Sequence, residues 1–203
     1  MNTSQPLSSL AYFDVMGKEG VYEPHPVVWQ WKKLLIARYA CGVVLDVGCA
    51  NGVYLPFMRQ YSRTVIGIDN SPWMIRAAML REHGVLGKTL YEMSVLDLPD
   101  SWDQRFSTIF CLGTFYYIKE QEEALAKMIR ALAPNGILLL EVRIKPGTGH
   151  VEEHFASPEW YKGLFLKHGL EVLETRDPPK IGILNKLRPK QKLLFITRKT
   201  VKR

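Results

Sequence analysis

Two glycines four residues apart, Gly48 and Gly52 in "VVLDVGCANGVYLPF", stand between an apolar run and an amphipathic segment. A strand entering a glycine-containing turn before a helix brings main-chain N–H groups toward a ligand and lets it approach closely. The dinucleotide fingerprint would need glycine at positions 50 and 53, where this chain has Ala50 and Val53, so a pyrophosphate cofactor is disfavoured. Asp69 ends the next apolar run, 21 residues after Gly48. A carboxylate there is placed to accept hydrogen bonds from both hydroxyls of a ribose. Turn and acid together describe a nucleoside site without a pyrophosphate cradle.

The histidines are the other chemistry-bearing group. His150 and His154 are spaced i, i+4, one face of a helix. Without a third ligand they make a poor metal site, so no metal is expected, and the sharper reading is a general base drawing a proton from an acceptor. Surface histidines are the plain alternative.

These residues need a scaffold. "GVVLDV", "TVIGID", "KTLYEMSV" (88–95), "FSTIFCLG" (106–113) and "ILLLEV" (137–142) read as strands, and helical stretches fall between them at 54–61, 71–84 and 119–136. Ser71 and Pro72 start one helix, Gly84 ends it, and Pro134-Asn135-Gly136 stops another. This alternation calls for a doubly wound α/β fold, Rossmann-like, with a mostly parallel seven-stranded sheet and helices on both faces. After a helix at 157–169, strands at 170–176 and 192–199 are separated by about fifteen residues without helical pattern, so they pair antiparallel. Residues 1–40 form a separate segment, aromatic and irregular at first and then helical from Pro26 to Tyr39, and 41–203 the main domain.

The ordered motifs resemble those of class I S-adenosylmethionine-dependent methyltransferases. "LDVGCANG", "GIDNS", "SVLDLP", "FSTIFCLGTFYYI" and "LAPNGILLLE" are similar to that family's successive strand-end motifs and cover about Val43 to Val142. The resemblance implies S-adenosyl-L-methionine as cofactor and S-adenosyl-L-homocysteine as product. It implies that Asp46 and the backbone from Gly48 through Cys49 and Ala50 to Gly52 face the methionine part, and that Asp69 takes the ribose. Asn70 and Met74 would flank the adenine, Asp97 and Leu98 would meet its amino edge, and Cys111 and Leu112 would border the pocket. Asp46 as a turn cap and Asp97 as an Asx-turn residue remain open alternatives. Ala50 departs from the family's usual glycine, which is harmless only if that residue avoids positive φ.

The acceptor side falls to the N-terminal aromatics, with Tyr12 and Tyr22 as candidates, and to Tyr116 and Tyr117 after the fourth strand; ordinary packing is the alternative. The expected function is methyl transfer to an oxygen or nitrogen of a small metabolite. The alternatives are an RNA or protein methyltransferase and a non-catalytic cofactor-binding module. The net charge of +7 favours nucleic acid only until it is located. Nine Lys/Arg and no acid lie from Lys180 to Arg203, leaving 18 basic against 20 acidic residues before them. No run approaches a membrane span and the polar start lacks a secretory layout, so a cytoplasmic protein with no membrane partner is expected. Cys41, Cys49 and Cys111 form no Cys-x-x-Cys pair and read as reduced thiols. The oligomeric state is not legible.

Overall fold

The computed structural model describes residues 8–20, 22–81, 89–146, 151–180 and 191–200. Helices α1 (Ser9–Glu19) and α2 (Pro26–Tyr39) precede a β/α series. It runs β1 (Val43–Val47), α3 (Leu55–Met58), β2 (Thr64–Asp69), α4 (Pro72–Arg81), β3 (Leu90–Glu92), β4 (Phe106–Cys111), α5 (Gln121–Ala131), β5 (Leu132–Arg143), α6 (Pro158–Lys167), β6 (Leu170–Arg176) and β7 (Lys192–Lys199). The sheet order is β3-β2-β1-β4-β5-β7-β6, with β7 antiparallel to both its neighbours and the other described pairs parallel. This is the Rossmann-like doubly wound sheet with an antiparallel C-terminal strand. The chain winds outward in opposite directions from β1 and β4, so a crevice opens beyond their C-terminal ends.

Strand alternation assigns residues to faces. Leu45, Val47, Ile109, Leu138 and Leu140 pack with α5 and α6, whereas Val44, Phe110 and Leu139 pack with Leu35 and Ile36 of α2. By the same period of two, Asp46 and Glu141 point to the α2 face. Both are buried, at 6% and 4% exposure.

Several boundaries differ from expectation. Residues 9–19 are helical, not irregular: Ser8 Oγ accepts from Ala11 N, and Gly20 ends the helix at φ +66°. A Cβ on Gly17 would come within 2.9 Å of Met74 N, so the glycine allows α1 to lie against α4, where Ser71 Oγ donates to Asp14. A mid-helix glycine weakens local propensity, and tertiary packing overrides it here. The 54–61 helix is one turn, and β3 is shorter than the 88–95 pattern. Helix α5 stops at Ala131, and Pro134-Asn135-Gly136 lies inside β5, where the register against β4 shifts and Asn135 takes φ +60°. The expected stop at Gly84 lies outside the described residues.

Candidate functional site

The turn after β1 keeps its own polar groups occupied. Gly48 N and Cys49 N both donate to Ile68 O, at 2.9 and 3.0 Å, and Gly52 N donates to Cys49 O at 3.0 Å. Ala50 N donates to Asp69 Oδ2 at 2.9 Å, and Ser71 N to Asp69 Oδ1 at 3.0 Å. Four of the N–H groups that a phosphate would need are therefore already bonded, and the following helix has only four residues. The geometry agrees with a site that takes no pyrophosphate.

Asp69 has one backbone donor on each oxygen, which leaves further lone pairs directed to the crevice. Burial raises its pKa, and the bonds from Ser71 and Ala50 oppose that shift. The carboxylate is thus oriented before any ligand arrives. Ala50 does adopt positive φ, +49°, the condition under which its methyl matters. The left-handed conformation costs an alanine about 1–2 kcal/mol, and its bond to Asp69 helps to hold it there.

Around Asp69 a cleft is lined by Gly48, Ala50, Asn70, Leu112, Tyr117 and the run Met93-Ser94-Val95. A larger cavity of about 480 Å³ adjoins it, lined by Tyr12, Trp31, Tyr116 and Glu141 among others. Phe13, Tyr22, Gly113 and Tyr117 line both spaces. Asn51 Nδ2 donates to Tyr22 O at 2.8 Å, fastening the N-terminal segment over the turn. Phe13 packs edge-on against Tyr117 with centroids 5.1 Å apart.

Behind the turn the site is charged. Lys32, 7% exposed, reaches from α2 to donate to Leu112 O at 2.8 Å. Burial lowers its pKa, and Glu141 and Asp46 oppose that shift. Burial pushes the Asp46 carboxyl up to about 7, with Lys32 opposing and Asp69 adding to the rise. Between its ordinary value and about 7, the folded protein therefore holds a proton that the unfolded chain has lost. The contribution of Asp46 to stability must fall as pH rises through that window and flatten above it. Urea unfolding of wild type against Asp46→Asn between pH 4 and 8 should show this slope in the difference; a flat difference would contradict it.

A family model described as "Methyltransferase domain" matches residues 44–136, the stretch that holds the turn, Asp69 and the cleft wall. Over that stretch the chain is similar to a methyltransferase domain. Its curated relatives include a tRNA U34 carboxymethyltransferase of Cellvibrio japonicus (strain Ueda107). That relative is 32% identical over 128 residues, which span 59% of this chain and 38% of the relative. One of the same name from Helicobacter pylori (strain P12) is 34% identical over 109 residues, 50% of this chain and 41% of the relative. The chain thus spans under half the length of these relatives.

Among solved structures, Burkholderia thailandensis 1,6-didemethyltoxoflavin-N1-methyltransferase, with bound 1,6-didemethyltoxoflavin and S-adenosylhomocysteine, matches at TM-score 0.71. Identity is 18%, with 98% of this chain and 94% of that chain covered. The [4+2]-cyclase SpnF matches at TM-score 0.72 and 18% identity, covering 98% of each chain. At such identity these likenesses speak for the fold alone.

The fold brings together some of the residues picked out in the sequence and separates others. Gly48, Ala50, Asp69, Asn70 and Leu112 line the cleft, and Tyr12, Tyr22, Tyr116 and Tyr117 line the cavity or the shared wall. Asp97 is exposed in a 3-10 turn at 95–97 and outside the cleft lining, and Leu98 packs in the core with its carbonyl accepting from Arg130. Met93, Ser94 and Val95 form that wall instead, because the turn begins at the Ser94 cap and carries Asp97 away. Cys49, Gly52 and Asp46 stand behind the wall, and Cys111 points into the core. Met74 is fully buried near the α1–α4 contact rather than in the cleft lining.

His154 is a further correction. Its backbone N donates to Tyr116 O at 2.7 Å, whereas its ring nitrogen lies 3.8 Å from Glu152 and outside the lining of both spaces. His150 lies outside the described residues. No group of three or more His, Cys, Asp or Glu suited to a metal occurs among the described residues. No described helix is long and apolar enough to cross a membrane.

Three polar residues went unread in the sequence. Lys32, beside Lys33, and Lys192, within the basic C-terminal run, give no signal of their own. Glu141 does give one, because an acid inside "ILLLEV" at a strand's C-terminal end is the pattern that singled out Asp69.

Proposed function

We propose that the protein transfers a methyl group from S-adenosylmethionine to an oxygen or nitrogen of a small molecule. One observation supports it above the rest: a cavity of about 480 Å³, walled by aromatic residues, opens beside the Asp69 cleft and shares four residues with it. That is the size and character of a small-ligand pocket. Cofactor and acceptor held in such neighbouring spaces would react by direct displacement, with positioning and exclusion of water as the protein's main contributions.

In this reading Asp69 takes the ribose hydroxyls on its open lone pairs. Met93 to Val95 and Asn70 flank the base, and the Gly48–Gly52 turn with Asp46 and Lys32 behind it receives the amino-acid part. The bound cofactor supplies an electrophilic sulfonium methyl. Helices α1 and α2 form the acceptor-side cover, with Tyr12 and Tyr22 against the acceptor. Incubation with methyl-labelled S-adenosylmethionine and metabolite extracts should label a small product; label in macromolecules alone would contradict the reading.

An RNA acceptor is the second reading, supported by the names of the tRNA-modifying relatives and the basic stretch from Lys180 to Arg203. Binding through that charge would weaken steeply with salt. The amino-methylating nucleic-acid enzymes carry an Asn-Pro-Pro-Tyr-type motif where this chain has "CLGTFYY".

A further inference from the structure

Helix α6 has a face that its own chain leaves uncovered. Tyr161 and Phe165 are buried on Phe195 of β7, with Leu164 beside them in the core. The opposite side presents Glu159, Trp160, Gly163, Leu166 and Lys167, all exposed. Their spacing, i, i+1, i+4, i+7 and i+8, makes one continuous stripe with Gly163 at its centre. Leu166 is 81% exposed, more than any other large apolar side chain among the described residues, and Trp160 is 44% exposed.

Gly163 has no partner in the chain that would require it. A glycine inside a helix weakens that helix relative to alanine. Gly17, inside α1, is explained by its neighbour, since a Cβ there would come within 2.9 Å of the α4 backbone. A Cβ on Gly163 would meet nothing within 4 Å. The same device, a small residue that lets another helix come close, is present on α6 with no helix against it.

The stripe is complementary to itself. Trp160 and Leu166 are equally far from Gly163 along the chain, and so are Glu159 and Lys167. Turned end for end about Gly163, a second α6 therefore sets Leu166 against Trp160 and Lys167 beside Glu159, each twice. An ammonium has three donors, so Lys167, which gives one to Glu122 of its own chain, can also meet a second carboxylate.

From this we infer that α6 is a self-association surface, through which two copies of the chain pair antiparallel about a two-fold axis at Gly163. Half-exposed Phe155 lies with Trp160 along one groove and extends the apolar contact. Helix α6 contributes nothing to the lining of the Asp69 cleft or of the larger cavity, so pairing leaves both open. A ten-residue helix is about 15 Å long, which keeps the contact below the roughly 1,200 Å² of a stable interface. The dimer is accordingly a weak one.

The test is sedimentation equilibrium of the full chain. From about 5 to 500 μM it should show monomer and dimer in exchange, with a Kd on the order of tens of μM. Gly163→Leu and Leu166→Asp should each weaken the dimer about ten-fold or more. The thermal midpoint of Gly163→Leu should not fall, because leucine favours the helix and its Cβ enters open space. Glu159→Lys alone and Lys167→Glu alone each bring like charges together twice and should stay monomeric over that range. An equimolar mixture of those two variants restores opposite charges at both contacts and should associate to within about two-fold of wild type. A monomer at every concentration, a dimer indifferent to Gly163→Leu or Leu166→Asp, or no recovery on mixing overturns the inference.

Discussion

Replacing Asp69 by alanine should weaken S-adenosylhomocysteine binding by about 2 kcal/mol, roughly thirty-fold, measured by calorimetry. Two separate losses contribute. The open lone pairs that face the cleft disappear, and with them the proposed ribose contact. The acceptor for Ala50 N and Ser71 N also disappears, so the turn loses the bonds that orient it. An analogue lacking both ribose hydroxyls separates the two. Wild type should bind that analogue far less well than S-adenosylhomocysteine, and Asp69→Ala should bind the two alike. Unchanged affinity for S-adenosylhomocysteine in the variant would remove Asp69 from the ribose site.

Gly48→Ala should cost about 2–5 kcal/mol of folding stability, read from urea or thermal unfolding. Gly48 has φ +71°, and a Cβ there would lie 2.1 Å from Thr114 Oγ1, 2.4 Å from Cγ2 and 2.7 Å from Cβ. The clash falls on the loop after β4, which also carries Gly113 and leads to Tyr116 and Tyr117. Strain at the turn would therefore reach the shared wall of the two spaces. The double variant Gly48→Ala/Thr114→Gly removes the colliding atoms and leaves only the backbone cost, so it should recover more stability than Thr114→Gly alone would predict. Additive losses in that cycle would show that the two positions do not meet.

Much of this was legible in the chain itself. Alternating apolar strands and amphipathic helices gave a parallel sheet, and two strands with no helix between them gave the antiparallel end. Gly48, Gly52 and Asp69 announced a nucleoside-sized site because each is an exception within its own pattern: glycines in a turn before a helix, and a carboxylate at the end of an apolar strand. Ala50 and Val53 excluded the pyrophosphate fingerprint, and the bonded N–H groups of the turn agree with that reading.

Only the tertiary structure decided what the site contains beyond that frame. Periodicity tells which face of an element is buried, but not which residue of another element meets it. Lys32 and Leu112 are bonded across 80 positions, and Lys192 and Tyr116 across 76. Asp97 and His154 sat at inviting positions, yet irregular backbone carried one to the surface and left the other's ring outside the lining of both spaces, and irregular segments have no period to read. The sequence by itself determined the sheet, the turn and its acid, since these depend on local pattern. The folded chain decided the polar lining of the larger cavity, because burial of lysine and carboxylate is tolerable only where partners from distant elements meet them.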